Sequence, residues 1–432
     1  MRASPDSQQR LMLGSFASFY LIWRGDLVRA GMLIDEIRLA LDPRSIAPLN
    51  LILWHMLYAI YLWETGANEE AREVIDKAQG IAHDTGVHTL DLLVSLQNAC
   101  VALSMGDVSA TEEVLTRVQP LLTLSHPLDL AYYYSLQAGA KLVAGDVKGA
   151  LRIALPRIGE LERLSVPFLL CINRIELAQM LMLDRQFDAA LDQLTQALDF
   201  AQKMGSDLLE FHARIAQSYC YLELGQEDRG LDALRLALAI GRRHHYMNCH
   251  PWWLPKVMAR LCARALDAGI EIDYVQHLIK KRGLLPECPE VEAWPWPLKV
   301  YTLGRFALVK DGEPIRALGR VQNKVLDLLR VVIALGGRGI TSEAVIDALW
   351  PEAEGDAGRS VFDTTLHRLR KLLGNEQALN LGGGKVAINE KVCWVDLWAF
   401  ERLSNQAQSL AREGSSADLG TLRWLSQRLL GL

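Results

Sequence analysis

The sequence predicts a mainly α protein in two parts: a superhelix of stacked helical hairpins, then a small α+β module. Three observations carry this. A turn recurs about every 40 residues through the first half, small residues flank it at fixed offsets, and a hairpin, three helices and a second hairpin follow from Leu298.

The turns fall at Gly25, Gly66, Gly106, Gly145, Arg185 and Gly225, spaced by 41, 40, 39, 40 and 40 residues. Five residues after them lie Ala30, Ala71, Thr111, Ala150, Ala190 and Gly230; seven before lie Ser18, Ala59, Ala99, Ala138, Ala178 and Ser218. Two helices of a hairpin approach most closely at such points, so small side chains are required. Glycine suits the left-handed residue that ends the first helix. Large hydrophobes follow at Ile34, Ile75, Leu115, Leu194 and Leu234, with Ala154 as the exception. This is the pattern of a tetratricopeptide-like α-superhelix with helices longer than the usual unit of about 34 residues. HEAT repeats share the length but do not require small residues on both sides of the turn. Six such repeats over residues 1–285 give a concave groove, with each unit stabilised mainly by its neighbours. The groove either spaces and oligomerises the chain or binds an unknown effector or partner protein. Tyr132, Tyr133, Tyr134, Trp54 and Trp63 are candidates to line it, with ordinary inter-helix packing as their other reading.

A linker, 286–297, contains Trp294-Pro295-Trp296-Pro297. Leu298–Val309 is strand-like, and Lys310-Asp311-Gly312 turns into a short return strand. The stretch 321–334 carries apolar residues at Val325, Leu328, Leu329 and Ile333, a helical stripe that stops at Gly336-Gly337. Thr341 caps a second helix, 342–349, which ends in Leu349-Trp350-Pro351 with Trp350 as core. The third helix, 357–373, has Val361, Phe362, Leu366, Leu369 and Leu373 as its apolar set. Gly382-Gly383-Gly384 then reverses the chain between Leu379–Leu381 and Lys385–Ile388. This order predicts an α+β winged-helix domain over 298–396. Two amphipathic helices, 397–410 and 419–430, make a helical hairpin over 397–432.

Bulk properties exclude several classes. Half of the 432 residues are hydrophobic, enough for real cores, and the net charge is −5. Charge is uneven: residues 1–297 hold 28 Lys/Arg against 36 Asp/Glu, and residues 298–400 hold 14 against 12. An acidic array carrying a mildly basic module suits a regulator touching nucleic acid through one small surface. The seven cysteines are odd in number, scattered and never in Cys-x-x-Cys spacing. With no secretory segment, and a longest apolar run (Leu49–Trp63) too short for a bilayer, a cytoplasmic protein off the membrane is expected. No nucleotide loop, zinc-protease motif or nucleophile elbow occurs, so no enzyme and no cofactor are expected. Arg242 to His250 offers metal-ligand types, but adjacent His-His and Cys-His pairs lack ligand spacing. A polar inter-helix loop is the expectation there, and no metal.

On the third helix, Thr364, His367 and Arg368 fall away from the apolar stripe, where base edges of a major groove would lie. An Arg–guanine pair carries roughly 1–3 kcal/mol of discrimination. Arg359, Arg370 and Lys371 suit phosphates, and Lys385 gives a weak contact from the second hairpin. Asp363 beside this face repels phosphate or accepts from a cytosine amine.

Leu303-Gly304-Arg305-Phe306, Ala348-Leu349-Trp350-Pro351, Leu366 to Gly374 and Trp394-Val395-Asp396 resemble the OmpR/PhoB-type winged helix of SARP-like activators. The likeness is closer to large MalT-like bacterial transcriptional regulators, and it covers about Pro251 to Leu432. The repeats agree in architecture, whereas the NTPase module of that group is missing. The resemblance implies a sequence-specific DNA-binding transcriptional regulator of activator type. Its partners are double-stranded DNA and RNA polymerase, two copies read tandem or inverted half-sites as a homo-oligomer, and 397–432 is the start of an activation domain. The alternative is a non-DNA interaction scaffold whose winged helix has become a protein-docking module.

Overall fold

The computed structural model describes residues 7–124, 126–164, 166–248, 252–287, 290–315, 320–353 and 355–412. The chain divides into two compact units, Met1–Leu284 and Leu285–Leu432.

The first unit is a run of helix pairs. They are α1 (Ser7–Arg24) with α2 (Leu27–Ala40), α3 (Pro48–Glu64) with α4 (Asn68–Thr85), and α5 (Asp91–Ser104) with α6 (Val108–Val118). Next come α7 (Pro127–Val143) with α8 (Val147–Leu164), α9 (Pro167–Leu183) with α10 (Phe187–Met204), and α11 (Asp207–Glu223) with α12 (Glu227–His244). A seventh pair, α13 (Pro255–Asp267) and α14 (Ile272–Arg282), adds one to the six expected. The turn residues adopt left-handed backbone, including Arg185 at φ 61°. At Gly25-Asp26, Gly106-Asp107 and Gly145-Asp146 the aspartate then caps the second helix, accepting from the backbone N–H three residues on. Ala30, Ala71, Thr111, Ala150 and Ala190 are all 0% exposed, so these are the points of closest helix approach.

The run closes on itself. Ser206 donates through Oγ to the Trp23 carbonyl (2.7 Å), joining α1 to the start of α11. The stretch between α12 and α13 enters the interior, where a polar loop was expected: Tyr246, Met247, Asn248, Trp252 and Trp253 are buried. Tyr246 donates through its hydroxyl to the Gly25 carbonyl (2.6 Å). Asn248 donates to the Trp63 carbonyl (3.4 Å), and Gln179 bonds both the N–H (3.3 Å) and the carbonyl (3.2 Å) of Trp252. Buried aromatic area gives the stretch its driving force to leave water.

The second unit is mixed, with a small sheet region near the C-terminus. One sheet has the order β3 (Glu313–Pro314), β2 (Ala307–Lys310), β1 (Leu298–Tyr301), β7 (Cys393–Val395), with β1 and β7 parallel. The other joins β4 (Ile340–Thr341), β6 (Lys385–Ile388) and β5 (Leu379–Gly382). Between them run α15 (Arg320–Ala334), α16 (Ser342–Leu349) and α17 (Gly355–Leu373), and α18 (Asp396–Arg412) follows. The single strand expected over 298–309 is itself a hairpin, because Gly304 at φ 73° breaks it. Asp396, 1% exposed, holds that break: its carboxylate accepts from the N–H groups of Thr302 and Leu303 and from the Thr302 hydroxyl, all within 2.9 Å. Phe362, Leu366, Leu369 and Leu373 join the core as expected, and Trp350 packs against it, whereas Val361 faces solvent (42% exposed). The helix expected over 419–430 lies outside the described residues.

Candidate ligand chamber and the exposed face of α17

The first helices of six pairs, α1, α3, α5, α7, α9 and α11, surround a chamber of about 400 Å³ that Trp252 helps to line. Its walls are mostly apolar, with Phe19, Ile60, Leu93 and Phe168 among them. Two buried acidic side chains sit in this surface. Glu64 ends α3, is 4% exposed, and its Oε2 has no hydrogen-bond partner. Burial pushes its carboxyl up to about 8. Glu176, in the middle of α9, is 3% exposed. Burial likewise pushes it up to about 8, against the Ser135 hydroxyl that donates to it and favours the ionised form. Both carboxyls are therefore biased toward their neutral form.

The other polar groups are mostly satisfied within the wall. Tyr132 donates to Gln97 Oε1 (3.1 Å), and Asn173 donates to the Leu169 carbonyl (2.9 Å). Burial raises the Tyr132 phenol well above its ordinary value and pushes the Cys100 thiol up to about 12, which leaves that thiol unreactive. The Trp252 indole N–H has no partner. Asp129 completes the acidic set, and no lysine or arginine is among the described lining residues. Such a surface suits an apolar body that brings one strong hydrogen-bond donor.

Of the aromatics singled out from sequence, Tyr132 and Trp63 line this chamber. Trp54 and Tyr133 are packed between helices, Trp54 against Tyr58. Tyr134 faces another hollow, between α7, α8 and α9, under Arg157. Sequence reasoning missed Glu64 and Glu176. The available signal was a carboxylate inside or at the end of a predominantly apolar helix, as in Pro167–Leu183, where the other polar side chains are Asn173, Arg174 and Gln179.

On α17, Arg359, Thr364, His367, Arg368, Arg370 and Lys371 are all exposed, as is Lys385 on β6. Thr364 donates to its own helix, at the Ser360 carbonyl (2.9 Å). Asp356 and Asp363 share the exposed face.

No family model matches the chain, and no curated protein matches it. Among solved structures it is similar to a Rap protein complexed with competence and sporulation factor, with a TM-score of 0.45 and 11% identity, over 98% of this chain and 97% of that one. It is also similar to the apo form of RapI, with a TM-score of 0.35 and 9% identity, over 85% of this chain and 99% of that one. These findings overturn the expected assignment: the likeness along the chain is to Rap proteins, not to MalT-like or SARP-like regulators. The reading as a DNA-binding activator is corrected with it, and double-stranded DNA and RNA polymerase are withdrawn as partners. The roles given to Thr364, His367 and Arg368 at bases, and to Arg359, Arg370, Lys371 and Lys385 at phosphates, rested on that reading.

Proposed function

We propose that the chain is a non-catalytic interaction scaffold whose repeat array holds an extended segment of a regulatory peptide or partner protein. One observation carries this. The chain's own residues 246–248 and 252–253, between α12 and α13, already lie against the inner helices, bonded to Gly25, Trp63 and Gln179, with their aromatic side chains buried. The inner surface thus offers main-chain and amide partners to a peptide backbone and apolar recesses to its side chains, the division of labour common in peptide recognition.

The second unit, a winged helix by its element order, serves in this reading as a protein-docking module through the mixed-charge face of α17. Among the described residues no helix is long and apolar enough to cross a membrane. The free, buried thiols of Cys100, Cys171 and Cys220 fit a reducing cytoplasm.

The test is selection of peptides from a random displayed library on the full chain. One selected peptide is then titrated by fluorescence anisotropy against the parent, Gln179→Ala and Tyr246→Phe. Gln179→Ala, which frees the internal stretch at Trp252, is expected to tighten binding about tenfold, the loss of about 1.4 kcal/mol of the hydrogen bonding that holds the competing stretch. Tyr246→Phe, which frees the internal stretch from Gly25, is expected to tighten it. Selected peptides indifferent to both changes would place recognition elsewhere.

A further inference from the structure

We propose that the chamber of the repeat array binds a small organic cation, an apolar body bearing one primary ammonium, with Glu64 as its counter-charge. The proposal rests on the chamber itself and not on the peptide reading. Glu64 Oε2 is a buried acceptor without a partner, and the Trp252 N–H is a buried donor without one. Natural interiors rarely leave such groups unsatisfied without a functional reason. The surrounding wall is apolar and aromatic, and its volume lies at the small end of the about 300–1,000 Å³ typical of ligand pockets.

Charge decides among ligand classes. An anionic ligand would sit beside Glu64, Glu176 and Asp129 with no lysine or arginine among the described lining residues to balance it. A polyol would leave hydroxyls against Ile60, Leu93 and Phe168. A metal ion needs a tight donor set, and no group of three or more His, Cys, Asp or Glu that could hold one occurs among the described residues. An ammonium supplies the missing donors to Glu64, and an attached apolar body displaces water from the walls. Trp23 and Phe168 add aromatic rings to the wall.

The titratable groups facing Glu64 from the packed elements are Cys100 on α5, Asp129 and Tyr132 on α7, Glu176 on α9, His212 on α11 and Tyr246 after α12. The lining residues from α1, Phe19, Ile22 and Trp23, carry no titratable group. Burial favours the protonated form of Glu64, and pairing with an ammonium requires the ionised one. Binding therefore expels a proton, and affinity rises with pH until the free carboxyl is ionised.

The experiment is calorimetry on the full chain at pH 7, in two buffers of different ionisation enthalpy, with 2-phenylethylamine, 2-phenylethanol and 3-phenylpropionate. The amine is expected to bind with release of up to one proton, the alcohol at least tenfold more weakly without release, and the acid not at all. Glu64→Gln should lose both the amine preference and the proton release while keeping the parent's far-UV circular dichroism spectrum and a cooperative melting transition, which shows that it folds. Equal binding of amine and alcohol without proton release would overturn the proposal, as would failure of all three probes. Loss of the amine signature in Glu176→Gln alone would overturn the role given to Glu64.

Discussion

Within each repeat of the first unit, the two helices live under different rules. Inner helix α9 is buried without interruption from Leu170 to Met182, whereas its partner α10 buries only Phe187, Ala190, Leu194, Ala197 and Ala201. Among the described residues, the array's buried acidic and arginine side chains, Glu64, Arg174 and Glu176, are all on inner helices. Arg174 finds partners outward, at Gln193 on α10 and Glu162 on α8, both 2.6 Å away. Glu64 Oε2 finds none. Outer helices supply the amphipathic stripe that holds the stack together, and inner helices carry groups that stacking alone does not need. The chemistry of the array therefore belongs to its inner surface.

The sharpest break of this comparison uses two turn glycines with nearly the same backbone, Gly25 at φ 89° and Gly145 at φ 88°. A Cβ on Gly25 would fall 2.5 Å from the Leu208 amide nitrogen, and the Tyr246 hydroxyl lies there too; a Cβ on Gly145 meets nothing within 4 Å. Gly145→Ala should cost about 1–2 kcal/mol from the left-handed backbone alone. Gly25→Ala adds overpacking where α1 meets α11, for a total of about 3 kcal/mol or more. Urea unfolding of both variants checks this; equal losses would mean that the closure between α1 and α11 carries little stability.

The second prediction concerns the inner carboxyls. Glu64 has its proton bound more tightly in the folded chain (about 8) than when unfolded (4.5). Its contribution to stability is therefore full below pH 4.5, falls as pH rises through the window to about 8, and is gone above it. Stability falls by at most about 1.4 kcal/mol for each pH unit crossed in that window, so Glu64→Gln should stabilise the fold by roughly 2 kcal/mol or more at pH 8.5 and change little at pH 4. Glu176 leaves a similar slope in that variant. The outer-helix counterpart is Glu227→Gln, which loses a half-exposed ion pair with Arg264 and should change stability by less than about 0.5 kcal/mol at either pH. Melting curves of the three proteins at pH 4 and 8.5 decide it.

What the sequence made legible follows the same division. Hairpin closure is local: a left-handed turn and small residues at fixed offsets recur within each unit, so the stacked pairs could be read from Gly25 to Gly225. The seventh pair escaped because its turn, Gly269, comes 44 residues after Gly225. The stretch that enters the array lies in between, and Tyr274 occupies the small-residue offset, its hydroxyl donating to the Tyr246 carbonyl. The chamber was legible only in Tyr132 and Trp63, since six helices about 40 residues apart each contribute a few side chains and no short motif links them. In the second unit, alternation marked the strands but missed the break at Gly304, where the partner that fixes the backbone, Asp396, lies 92 residues away. The motifs that suggested DNA include structural ones: Asp396 holds this break, and Trp394 is core.

The smallest expected effect tests whether the offset five residues after the turn is a rule of size alone. Thr111 is the one non-Ala, non-Gly residue there among the six aligned repeats, yet it is 0% exposed. It fits because its hydroxyl is close to the carbonyls of Asp107 (2.9 Å) and Ala99 (3.3 Å), the second of these on the facing helix α5. Thr111→Ala loses one net hydrogen bond and some packing, but leaves those carbonyls with their helical partners, so the cost should be about 1 kcal/mol or less. Thr111→Leu forces γ-branched bulk into the α5–α6 contact and should cost about 1–3 kcal/mol. If urea unfolding shows both changes to be neutral, this pair is loosely packed, and close approach at that offset does not hold it together.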